Sequence, residues 1–207
     1  MFYLDFLFVK SLPIVGFSSQ NLTLLIKFTT AKSSNDIQQI LDLQWVNLPN
    51  NISTIEAKEQ GFVTVHHNFD ILSSMNQPYP HVIAKYQNQV IGYTLVMLKK
   101  FGAQIPILIP MFEKINSLVY KGESLATTPY FVMGQVCVAK GYRGQGVFSG
   151  LYQQMKKEMS GHFKYIITEI ATRNTRSMRA HEKVGFETVH IYQTPKEEWA
   201  IVAWDWQ

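Results

Sequence analysis

One stretch, residues 130–159, constrains this chain more than any other. A strongly β run, Tyr130–Val138, enters a turn with glycines at 141, 144 and 146, and an amphipathic helix starts at once. In that helix Val147, Leu151, Tyr152, Met155 and Met159 fall on one face. The first N–H groups of a helix have no partner within it, and the helix dipole adds partial positive charge there. Glycines let an anion approach the backbone closely. The segment therefore reads as a cradle for a diphosphate, with Arg143 as a charged fork beside it. The plain alternative is a turn that needs glycine only for its shape.

The flanking sequence supplies the rest of a sheet. Residues 22–29 read as a first strand, and Ser33-Ser34 can cap a helix carrying Ile37, Ile40, Leu41 and Leu43 at helical spacing. Ser53 and Glu56 have capping-box spacing and predict a short second helix ended by Gly61. Another short helix is expected over 69–75. Strands at 81–86 and 89–98 flank a tight Gln87-Asn88 turn, and a helix is expected over 107–120. After the glycine turn, 164–171 reads as a strand and 175–184 as a helix closed by Gly185, with a last strand pair at 189–192 and 199–204. This order predicts an α/β fold with antiparallel and parallel strands in one mixed sheet. The domain spans 22–207, an apolar extension occupies 1–21, and 99–129 is an insertion between two strands.

Charge narrows the ligand. The net charge is only +4, too small to point to nucleic acid or a membrane surface. Yet residues 140–183 hold nine Lys and Arg against three Glu. A local basic field in a nearly neutral protein suits a small polyanion, although charge by itself fits a solvated basic face as well or better. The single cysteine, Cys137, excludes an intrachain disulfide, argues against a cysteine-based zinc site and makes the cytoplasm the expected location. His66 and His67 would point to opposite faces of a strand and share no metal. The apolar start, broken by Asp5, Lys10 and Pro13, is too short for a membrane span and lacks the marks of a signal peptide.

Two familiar phosphate motifs fit poorly. No Gly-Lys-Ser/Thr follows the glycines, so a P-loop is excluded. A dinucleotide fingerprint would need a third glycine where Ser149 stands, although Glu169 lies at a fitting distance for a ribose contact. A nucleotide-binding oxidoreductase stays a weak alternative. A second segment, residues 174–186, is independent of the first. Asn174 stands between a strand and a helix, with its amide available to an amide ligand. Ser177 and His181 share a helix face, Gly185 stops the helix and Phe186 begins the next core strand.

Together the two segments resemble the GNAT superfamily of acetyl-CoA-dependent N-acetyltransferases. The family's turn, Arg/Gln-x-x-Gly-x-Gly/Ala after a strand ending in Val, is matched by Arg143 and Gly146 and departs at Phe148, where the family usually has a small residue. Its second pattern is matched by Asn174, Ser177, Lys183, Gly185 and Phe186, with His181 at the family's tyrosine position. The resemblance covers 22–204 in element order and about 130–186 at motif level. It implies a mostly antiparallel sheet with one splayed parallel pair, flanked by helices. It also implies acetyl-CoA as co-substrate, held by Val136, Cys137, Val138, Arg143, Gly144, Gln145, Gly146, Val147, Phe148, Asn174 and Ser177. No metal is implied.

The same resemblance implies acetyl transfer to a small-molecule or peptide amine by direct attack, with the Val138 N–H as oxyanion donor. His181 stands at the family's acid position, and imidazole titrates near neutral pH. Glu169 could take a proton from the amine. Each has a plainer reading, as a helix histidine lining the site and as a solvated or ion-paired carboxylate. Cys137 reads as a small buried residue rather than a nucleophile. The insertion is expected to wall the acceptor site with Phe112, Glu113 and Tyr120, or else to extend the core or form a homodimer contact. A non-catalytic acyl-CoA-binding regulatory or structural protein is the alternative of a different class.

Overall fold

The computed structural model describes residues 25–53, 63 and 65–207. The expected N-terminal extension, the start of the expected first strand and the expected helix after Ser53 lie outside the described residues. The elements are β1 (Ile26–Thr30), α1 (Ser34–Val46), α2 (Phe69–Met75), β2 (Val82–Tyr86), β3 (Gln89–Met97), α3 (Ile109–Asn116), β4 (Val119–Tyr120), β5 (Glu123–Ser124), β6 (Tyr130–Val138), α4 (Val147–Met159), β7 (Tyr165–Ala171), α5 (Thr175–Val184), β8 (Glu187–Gln193) and β9 (Glu198–Asp205). Seven strands form one sheet in the order β1-β2-β3-β6-β7-β9-β8. All neighbours are antiparallel except β6 and β7.

Local chemistry accounts for the ends of these elements. At α1 the Ser33 hydroxyl accepts from the Asp36 N–H, and the Asp36 carboxylate accepts from the Ser33 N–H, a reciprocal cap. The expected single helix over 107–120 is instead the shorter α3 followed by the β4–β5 hairpin. Ser117 closes α3, and Lys121 and Gly122 both take positive φ, the geometry of a two-residue hairpin turn.

The sheet has a core on each face. On one, α1, α2 and α3 bring Ile40, Leu72 and Ile115 onto Tyr93, Leu95, Tyr165 and Ile201. On the other, α4 brings Leu151, Tyr152 and Met155 onto Ile91, Phe131, Ile166 and Val202. Burying each such side chain stabilises the fold by about 1.5–3 kcal/mol, which holds a helix of α4's length that would be marginal alone. Gly92 lets the first turn of α4 sit close on β3, because an added Cβ would lie 3.1 Å from Val147 Cγ1. That contact sets the start of α4 at the end of β6.

Gly185 closes α5 with φ 117°, and an added Cβ would lie 2.6 Å from the Trp204 indole nitrogen. Left-handed strain and overpacking act together here. Gly185→Ala should destabilise the protein by about 2–4 kcal/mol. Urea unfolding should show a lower midpoint at unchanged slope, and an unchanged midpoint would mean that Trp204 yields freely.

Candidate active site

The site begins where two strands part. β6 and β7 pair in parallel only at Tyr130–Tyr165, Phe131–Ile166 and Val132–Ile167, although β6 runs on to Val138 and β7 to Ala171. The cause lies in β6. Against β3, Thr94 faces Val136 and Val96 faces Met133, so β6 carries one extra residue at Gly134-Gln135. Such a bulge bends its strand and increases its twist, which carries the end of β6 away from β7. The Thr168 hydroxyl donates to the Met133 carbonyl at 2.9 Å, at the point of divergence.

Backbone donors face the opened gap. Gly92 and Val138 are opposite each other, and the flanking Ala139 N–H donates to the Ile91 carbonyl at 2.8 Å. That makes Gly92–Val138 a pair that exchanges no hydrogen bonds, and Val136 with Thr94 is another. The N–H groups of Val138 and Val136 therefore point away from β3, into the gap. Beyond Val138 the turn has positive φ at Gly144 (75°) and Gly146 (81°), and an added Cβ at either would meet nothing within 4 Å. The first bond inside α4 runs from the Gly150 N–H to the Gly146 carbonyl at 2.9 Å. The N–H groups of Val147, Phe148 and Ser149 are thus surplus to the helix, and no acidic side chain stands in its first turn.

These elements line a cleft of about 860 Å³. Its walls include Val136, Cys137 and Val138 of β6, Gly144, Gly146 and Phe148 at the turn, Asn174 and Ser177 of α5, and Asn47 and Val63 from the α1 side. Arg143 also lines it, but its guanidinium turns back: Nε donates to the Val138 carbonyl at 3.0 Å and an Nη to the Asn47 side-chain oxygen at 2.7 Å. It braces the turn against β6 and α1. Nor is the Asn174 amide wholly available, since its oxygen accepts the Ser177 N–H at 3.1 Å and caps α5.

His181 does not face the cleft. Its ring is 2% exposed and packs among Tyr152, Phe148 and Phe186. Nδ1 lies 2.8 Å from the Ser177 carbonyl, which can only accept, so Nδ1 carries the proton. Nε2 then accepts from the Tyr152 hydroxyl at 2.6 Å. Burial lowers the imidazole pKa to about 4, holding the ring neutral. The expected acid is therefore an inward-facing, fully satisfied histidine. Its surroundings explain the two departures from the motifs. The Phe148 ring stands edge-on to His181 at 5.1 Å and 4.9 Å from Tyr152, so the two unusual residues touch.

Glu169 lies two residues beyond the last position at which β7 pairs with β6, on the sheet face opposite α4, outside the cleft lining. Its carboxylate accepts a hydrogen bond from Tyr192 of β8. Burial raises its pKa, and the Tyr192 bond opposes that rise. Cys137 is buried beside Tyr93, and burial pushes its thiol up to about 12, which suits no nucleophile at neutral pH.

The sequence pattern of the Acetyltransferase (GNAT) family matches residues 37–186. The chain belongs to the GNAT family. It is thus an acetyltransferase of the acetyl-CoA-dependent kind. Solved structures share the fold. The ribosomal-protein-S18-alanine N-acetyltransferase of Escherichia coli is 12% identical, covering 87% of this chain and 93% of its own, with a TM-score of 0.54. Arabidopsis thaliana Naa50, in complex with the bisubstrate analogue CoA-Ac-MVNAL, is 16% identical over 86% and 97%, with a TM-score of 0.58. The Salmonella typhimurium protein yncA, solved with its cofactor acetyl-CoA, is 13% identical over 88% and 95%, with a TM-score of 0.57. No curated protein is similar enough in sequence to count as a relative. Among the described residues no helix is long and apolar enough to cross a membrane.

In this GNAT chain the structure gathers nine of the thirteen expected site residues on one cleft and leaves Gln145, Val147, Glu169 and His181 off its lining. Val147 is buried as the first residue of α4, and the Gln145 amide donates to the Gly141 carbonyl. Sequence reasoning missed Asn47, Val63, Tyr142, Arg179 and Lys183 on that lining. For Arg179 and Lys183 the basic run at 140–183 was the available signal. For Asn47 there was none, because only the fold brings α1 to the turn.

The insertion lies across β7, β8 and β9. Tyr120 packs edge-on to Tyr165 and donates to Glu187, Lys121 pairs with Asp205 at 3.0 Å, and Lys114 stands 5.6 Å from the Tyr192 ring. Phe112 is buried and Glu113 exposed.

Proposed function

We propose that this protein moves an acetyl group from acetyl-CoA to a primary amine by direct attack. One observation carries the reading: strand pairing ends at Val132–Ile167 and leaves the Val136 and Val138 N–H groups facing the gap. The open glycine turn fits a diphosphate, since Gly144 and Gly146 present bare backbone to empty space. Acetyl-CoA, when bound, supplies the acetyl group as a thioester. The N–H groups at the start of α4 hold its diphosphate. Val136 and the Asn174 amide N–H hold amide groups of its arm, and Ser177 lines the same wall. The Val138 N–H stabilises the negative charge that develops on the carbonyl oxygen.

Glu169 takes the proton of the attacking amine, directly or through water. Its half-buried position and the Tyr192 bond hold the carboxylate still. His181 supplies no proton to the departing thiolate, and we assign it to holding α4 against α5. Release of CoA thiol in the presence of a panel of amines tests the reading. A folded protein that binds acetyl-CoA and acetylates no primary amine would refute it.

The same assay tests Glu169. A hydrogen bond to the carboxylate favours its charged form, so Tyr192→Phe should raise the pKa of the base. The variant's rate relative to the native enzyme should fall several-fold as the pH drops from about 8 to about 6. A constant ratio would remove Glu169 from the base role.

A further inference from the structure

From Phe131 to Val138, β6 carries one strongly polar side chain, that of Gln135. It is buried and bonded at both ends of its amide. Its oxygen accepts from the Tyr93 hydroxyl at 2.5 Å, and its nitrogen donates to the Val65 carbonyl at 2.9 Å. Both partners belong to the core under α1, α2 and α3. Gln135 is also one of the two residues at the bulge of β6. Before the bulge Tyr130 and Val132 face that core, while Phe131 and Met133 face α4. After it the phase is reversed: Cys137 faces that core, and Val136 and Val138 face α4.

A straight β6 would keep its first phase. Val136 would then stand opposite Tyr93 and Val138 opposite Ile91, positions at which the strands exchange hydrogen bonds. Their N–H groups would turn from the gap to β3. Apolar burial does not choose between the two registers, because Val136, Cys137 and Val138 are all small and apolar. Gln135 does choose. In the straight register its amide turns to the α4 side and gives up both partners. On that face of β3 only Thr94 carries a polar side chain. The buried Tyr93 hydroxyl and the Val65 carbonyl lose their bonds to the amide as well, and each such loss in a core is costly.

We propose that Gln135, bonded to Tyr93 and Val65, is a positioning residue that locks the bulge of β6 and so aims the Val136 and Val138 N–H groups into the gap. What those groups bind there rests on the acyl-CoA reading above, and the test separates the two.

Amide hydrogen exchange, followed residue by residue by NMR on the full chain without ligand, reads the register. In the native protein the Cys137 N–H, which faces Tyr93, should be protected at least about tenfold more than those of Val136 and Val138. In Gln135→Leu that order should reverse. A mere loss of stability would lower all three protections and leave their order as it was. Calorimetric titration of the same variant should show acetyl-CoA bound about tenfold more weakly. Should Gln135→Leu fail to fold, Tyr93→Phe/Gln135→Leu removes both ends of the buried bond and carries the same prediction. Strong protection of Val136 and Val138 in the native protein would overturn the lock. So would an unchanged order in either folded variant. A reversed order with undiminished acetyl-CoA affinity would uphold the lock and overturn the reading of Val136 and Val138 as donors to acetyl-CoA.

Discussion

Gly146→Asp should abolish measurable acetyl-CoA binding while leaving the fold intact. Gly146 is the N-cap of α4 at φ 81°, and a side chain there enters open space over the turn. Asp tolerates left-handed backbone better than most residues, so the strain is modest. Its carboxylate would stand where the diphosphate must come and would claim the same N–H donors. Charge repulsion and lost donors together should weaken binding by about 100-fold or more, close to 3 kcal/mol. Titration calorimetry reads the affinity, and circular dichroism with a melting curve reads the fold. Retained affinity in a folded variant would move the diphosphate away from this turn.

The second large effect is acid unfolding driven by histidines. His67, His81 and His181 are 4%, 0% and 2% exposed. Burial holds their pKa values near about 4, about 3 and about 4, against an ordinary 6.5. Each ring accepts a hydrogen bond that its protonation would remove: His67 from the Gln44 amide, His81 from the Val96 N–H and His181 from the Tyr152 hydroxyl. The unfolded chain binds these protons below pH 6.5 and the folded protein does not. Stability therefore falls as the pH falls through that window. At pH 5 each histidine costs about 2 kcal/mol, and the three about 6, a large part of a typical domain's 5–15 kcal/mol. Urea midpoints should drop steeply between pH 7 and 5. A flat profile would mean that the rings are protonated in the folded state. Asp36, whose pKa is lowered although burial alone would raise it, adds to the loss at lower pH.

The histidines also show where sequence reasoning stops. His181 sits at the right spacing for the family's acid, and spacing alone puts it on the helix face of Ser177. Whether its ring turns outward or inward depended on Phe148, a residue 33 positions earlier in the chain. A small residue there would leave a hole beside the α4–α5 contact. Phe148 fills it, and Tyr152 supplies the partner that lets His181 stay buried and neutral. No local pattern contains that three-way contact.

What the sequence determined by itself is local and periodic. The apolar face of α4, the glycines of the turn, the cap of α1 and the Gly185 stop are all properties of a few consecutive residues, because helices and turns are governed by near neighbours. The order of the seven main strands along the chain and the open glycine turn follow from them. The tertiary structure decided the rest. The parting of β6 from β7 depends on a bulge that shows only in the pairing of β6 with β3. The brace from Arg143 to Asn47 joins residues 96 positions apart. The path of the insertion across β7, β8 and β9 rests on side-chain partners from three separate strands. Contacts across the chain are set by packing two cores on one sheet, and packing depends on shapes that periodicity does not carry.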